Sequence, residues 1–134
     1  MTKKEFRDRI KKSKLILDGA TGSNLQKRGM PVGVCPEEWI IENSEVLKQL
    51  QIEYIQAGSD VLYAPTFSGN RIKLEEYGLD DKLSEINTKL VEISKAAVDE
   101  GLTDEEKKAG RQVCIAGDIT MTGKQVYPVG PLMF

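Results

Sequence analysis

A chain of 134 residues has room for one domain with its own core, but not for two comfortable ones. With 40% hydrophobic and 30% charged residues it is globular in composition; its net charge of −2 and scattered lysines argue against a nucleic-acid partner, and it has no apolar run of the roughly 20 residues a membrane span needs. The lack of any histidine removes Ser-His-Asp and Cys-His catalysis, and every histidine-bearing metal site, from this chain taken alone.

The basic residues near the start (Lys3, Lys4, Arg7, Arg9, Lys11, Lys12) are broken by Glu5 and Asp8 and read as the solvated face of a helix. Thr2 and Glu5 have capping-box spacing for that helix and place Phe6 and Ile10 on its inner side. Leu15, Ile16 and Leu17 form an apolar run closed by Asp18, Gly19, Ala20, Thr21 and Gly22, which predicts a strand buried on both faces. Residues 21–43 are irregular, with helical turns expected near 24–28 and 37–41. Asn43 is placed to cap a helix whose inner face is Val46, Leu50, Tyr54 and Ala57, with Gly58 as its stop. A second strand spans residues 61–64, and a helical turn covers 70–77. A long helix over 80–100 puts Leu83, Ile86, Leu90, Ile93 and Ala97 inward, ending at Gly101. Thr103 and Glu106 repeat the capping-box spacing, the third strand is residues 113–116, and a Gly- and Pro-rich loop follows from 119 to 134.

The order is β-α-β-α-β, which implies parallel strands with right-handed crossovers and no internal domain boundary. This α/β pattern fits either the opening of a (β/α)8 barrel or half of a doubly wound sheet, and in both the chemistry gathers at the carboxyl ends of the strands. The turn after the first strand lacks the Lys-Ser/Thr ending of a phosphate loop and the Gly-x-Gly-x-x-Gly of a dinucleotide turn.

Four pieces of sequence carry a family resemblance. Leu17-Asp18-Gly19-Ala20-Thr21-Gly22 resembles the opening of the homocysteine-binding barrels of methionine synthases and betaine–homocysteine methyltransferases. Glu53-Tyr54-Ile55-Gln56-Ala57-Gly58-Ser59-Asp60-Val61 resembles the same family. So do Thr66-Phe67 with Lys73-Leu74 and Gly78-Leu79, and Ala116-Gly117-Asp118 before Thr122-Gly123. The pieces keep the family's order over residues 14–134, and the opening leans to the cobalamin-dependent methionine synthases. One departure is Thr120-Met121-Thr122-Gly123, where many relatives have Gly-Pro-Thr-Gly.

The resemblance implies the incomplete N-terminal β-α-β-α-β portion of a TIM barrel, so that residues 1–134 are a partial homocysteine S-methyltransferase domain. In such enzymes zinc, held by three cysteine thiolates from later strands, presents the homocysteine sulfur as a thiolate; cobalamin and methyltetrahydrofolate enter through other domains. No zinc ligand and no catalytic residue can be matched in this chain, so the isolated segment is expected to be inactive. Cys114 reads as a buried structural thiol and Cys35 as a non-catalytic loop residue. Two lone cysteines without a secretory leader point to reduced thiols in the cytoplasm. The matched substrate-binding residues are Asp18, for the ammonium group of homocysteine, and the backbone N–H groups of Gly19, Ala20 and Thr21, for its carboxylate. Thr66 is a weaker candidate for lining the pocket, and Asp118 is expected to order its own loop. Two other readings are a small module binding phosphate or another anion at the glycine turn, and a truncated product with a structural role. The chain's end at Phe134 reads as a cut short of the next crossover helix. No membrane partner is expected. Three apolar strands cut from a barrel should leave open edges, and these predict a homo-oligomer.

Overall fold

The structure is a computed structural model and describes residues 2–120, 122–124 and 130. Met121 of the departing loop, and the last residues of the chain, from which a cut was read, lie outside the described residues.

Helix α1 (Lys3–Lys12) opens with the expected capping box: Glu5 N–H donates to the Thr2 hydroxyl, and Thr2 N–H donates to the Glu5 carboxylate. Its inner face differs from expectation. No α1 residue is buried, and Phe6 and Ile10 stay exposed. The helix is held instead by Arg9, whose guanidinium donates to Asp60 Oδ1 at 3.2 Å, to the Gln112 carbonyl at 2.9 Å and to Cys114 Sγ at 3.4 Å.

Short helices α2 (Gly22–Lys27) and α3 (Pro36–Glu42) occupy the irregular segment, followed by α4 (Ser44–Gln56). Asn43 stands at the start of α4, but its side chain donates back to the Trp39 carbonyl, so it closes α3 rather than capping α4. Gly58 follows α4 at φ +103°, the left-handed conformation that ends a helix cheaply only in glycine. Strand β1 (Val61–Tyr63) comes next, then α5 (Arg71–Glu75), a 3-10 turn (Asp80–Lys82), α6 (Leu83–Gly101), α7 (Asp104–Lys108) and strand β2 (Cys114–Ala116).

The core lies between helices. Leu47 and Leu50 of α4 meet Ile86 and Leu90 of α6, with Leu25, Met30 and Ile40 closing one end and Leu74 and Leu79 in the same cluster. A smaller cluster of Ile55, Leu62 and Leu102 ties the sheet to these helices. Gly101 ends α6 where α4 and α6 pack closely: a Cβ there would stand 2.8 Å from Ile55 Cδ1, so any side chain would force Ile55 to shift.

β1 and β2 pair in parallel, Val61 against Cys114 through Tyr63 against Ala116. The expected first strand is reduced to one bridge, Leu17 to Val61. Carboxylates interrupt the ladder at both ends: Asp60 Oδ2 accepts from Ile16 N–H, and Asp18 Oδ2 accepts from Tyr63 N–H, each at 3.0 Å. Nor is this segment buried on both faces, since Ile16 is 59% and Leu17 50% exposed. Cys114 is likewise only partly buried, a correction to its reading as a core thiol.

Candidate functional site

The carboxyl end of β1 faces a cavity of about 450 Å³. Glycine-turn residues Gly19, Thr21 and Gly22 form one wall, and Tyr63, Phe67 and Ser68 at the end of β1 form another. Leu25, Met30 and Ile40 supply apolar lining, while Glu37 and Asp118 bring carboxylates. No Lys or Arg lines it, so its charged groups among the described residues are all acidic.

Asp18 stands immediately before this wall. Its backbone N–H continues the strand pairing to the Val61 carbonyl at 2.9 Å, and its Oδ2 takes the Tyr63 N–H. Its Oδ1 is buried and has no hydrogen-bond partner. Burial raises its carboxyl above the ordinary range, opposed by the Tyr63 N–H. The N–H groups of Gly19, Ala20 and Thr21 donate to no other described residue. Of the sequence candidates, then, Gly19 and Thr21 line the cavity, whereas Asp18, Ala20 and Thr66 adjoin it.

Thr66 does something else with its hydroxyl. It donates to the Asp118 carbonyl at 2.8 Å and accepts from Asp118 N–H at 3.0 Å, clasping the ends of β1 and β2 together. The clasp sets two neighbours, Phe67 and Asp118, into the cavity wall.

Glu37 is a residue the sequence did not single out. It is 1% exposed, its Oε1 accepts from Ser68 N–H at 2.8 Å, and its Oε2 accepts from the Cys35 thiol at 3.7 Å. Two glutamates in the first turn of a short helix were visible, but nothing local tells which one turns inward. Burial pushes the Cys35 thiol up, which disfavours its thiolate. Cys114 instead faces the Arg9 guanidinium at the opposite, amino end of the strands. Among the described residues no three His, Cys, Asp or Glu side chains gather as a metal site would require. The donor set present does not fit a zinc ion.

A sequence model of the homocysteine S-methyltransferase family matches residues 15–132. Betaine–homocysteine S-methyltransferase 1 from Bos taurus is 32% identical over 105 residues, 74% of this chain and 26% of that protein. The same enzyme from Pongo abelii is 32% identical over 123 residues, 90% of this chain and 27% of the relative. In three dimensions the chain is similar to the metallated form of the homocysteine methyltransferase MmuM from Escherichia coli. The TM-score is 0.72 at 24% identity, covering 85% of this chain and 40% of that one. The chain therefore belongs to the homocysteine S-methyltransferase family and shares the fold of that enzyme over the matching region. It spans about a quarter of the length of the curated relatives named here.

Proposed function

We propose that this chain supplies the amino-acid end of a homocysteine methyltransferase site, with the β1–β2 sheet and the Leu17 bridge as the opening portion of a (β/α)8 barrel. Asp18 takes the ammonium group of homocysteine, and the N–H groups of Gly19, Ala20 and Thr21 receive its carboxylate. Thr66 acts through the clasp that sets Phe67 and Asp118. The observation that carries this reading is Asp18 Oδ1, a buried acceptor with no partner beside a free-donor turn. Such an oxygen is costly unless a ligand donates to it. The acidic lining favours a ligand bearing a cation and speaks against a phosphate or other simple anion at the glycine turn.

In the whole protein the sulfur of homocysteine gains a methyl group and loses its proton, giving methionine. The zinc that would favour its thiolate must find its ligands outside the residues described. The opening Asp18 to Gly22 leans to the cobalamin-dependent methionine synthases, but the methyl donor is chosen by other domains or later loops. The named relatives, like the S-methylmethionine–homocysteine S-methyltransferase of Rattus norvegicus at 28% identity, favour an onium donor. Both cysteines are free thiols, which supports a reducing compartment such as the cytoplasm for the reaction.

Isothermal titration of the whole protein with L-homocysteine tests the cradle. Asp18→Asn should weaken binding by roughly 1.5–3 kcal/mol, the worth of a hydrogen bond to a charged group. Binding as tight as in the wild type would refute the role of Asp18.

A further inference from the structure

The glycine turn is held from behind by two side chains of α2 and α4. The Ala20 carbonyl accepts from the Tyr54 hydroxyl at 3.0 Å and from Asn24 Nδ2 at 2.7 Å, and Asn24 Nδ2 also donates to Tyr54 Oη at 3.1 Å. A carbonyl has two lone pairs and a side-chain amide two protons, so the three bonds close a triangle without competition. The Tyr54 ring lies against Gly19 itself: a Cβ at Gly19 would meet Tyr54 Oη at 2.8 Å and Cε1 at 2.9 Å. A side chain at Gly19 would thus force the Tyr54 ring to shift, independently of any ligand.

In a trans peptide the C=O and the following N–H point in opposite directions. Pulling the Ala20 carbonyl onto Tyr54 and Asn24 therefore turns the Thr21 N–H away from them. We infer that Tyr54 and Asn24 are positioning residues that lock the Ala20–Thr21 peptide, so that the turn keeps its N–H groups presented to the substrate carboxylate; this deepens, and rests on, the cradle reading above. A separate tie joins the same two helices. Arg28, four residues beyond Asn24, donates to both carboxylate oxygens of Glu53 at 3.2 and 2.6 Å. Docking of α2 on α4 thus does not depend on the Tyr54 hydroxyl, and Tyr54→Phe keeps the ring on Gly19 while removing only the hydroxyl.

The test uses isotope-labelled chain and backbone NMR. Tyr54→Phe should displace the Ala20 carbonyl carbon, the Thr21 amide and the Asn24 side-chain amide resonances while those of α6 and β2 stay in place, and Asn24→Asp should displace the same turn resonances. Arg28→Ala, which breaks the other tie, should leave Ala20 and Thr21 unmoved. Unchanged turn resonances in Tyr54→Phe overturn the proposal, as does an equal displacement in Arg28→Ala, which would mark general loosening. In the whole protein Tyr54→Phe should weaken L-homocysteine binding about two- to tenfold, as expected for one hydrogen bond. Displaced turn resonances with unchanged homocysteine binding would count against the cradle while leaving the locked peptide standing.

Discussion

Asp18 carries two opposed demands. As a strand-end carboxylate it holds Tyr63 N–H, yet burial leaves Oδ1 unpartnered and raises the carboxyl above its ordinary range. A raised value in the folded state means that the native chain holds this proton more tightly than the unfolded chain does. The group's contribution to stability is therefore full below the unfolded value and is lost as pH rises through the folded one. Asp18→Asn removes that dependence. Urea unfolding of the variant and wild type from about pH 3 to pH 7 should show their difference moving in the variant's favour as pH rises. A flat difference, or one moving towards the wild type, would refute the assignment. Stability and substrate binding would then pull this residue in opposite directions, as is common at ligand sites. Asp18 was singled out by the family resemblance of Leu17 to Gly22, since a carboxylate closing an apolar run does not by itself separate a ligand contact from a turn cap. Glu37 was not, because its burial is decided by Ser68 and Cys35, partners that local sequence cannot supply.

Elements whose signals are local matched well. Both capping boxes formed, and α6 turned Ile86, Leu90 and Ala97 inward as its spacing required. The glycine at 58 took the left-handed conformation its position called for. Failures came where a side chain replaced a backbone partner. Asp18 and Asp60 cut the first strand to a bridge, and Asn43 turned back onto α3. Helix α1 was read from its capping-box spacing with Phe6 and Ile10 inward, but Arg9 anchors it instead. Arg9→Ala should lower the unfolding free energy by about 1 kcal/mol, a charged hydrogen bond discounted for partial exposure. Denaturant titration that leaves the midpoint unchanged would show α1 to be attached in some other way.

For the molecule as a whole, apolar side chains remain uncovered around the sheet. Ile16, Leu17, Tyr63 and Phe67 are exposed, and Ile119 is 95% so. The bridge at Leu17 and the far side of β2 also leave backbone groups open along two edges. Open edges and apolar patches recruit further chain. We therefore predict that the isolated 134-residue chain self-associates. Sedimentation at micromolar concentration should give species heavier than 14.9 kDa, and a monomer alone would refute this.

The Arg9 anchor also bears on how the chain comes off the ribosome. Its thiol partner lies 105 residues downstream and its carbonyl partner 103. Ten residues of unburied helix are marginal alone in water. During synthesis α1 is thus made well before two of its partners, and closing so long a loop is the slow, entropically costly kind of step. Until residues 112 and 114 emerge, α1 has only the Asp60 part of the Arg9 anchor, 51 residues on, and stays more open to chaperones and proteases than in the finished fold.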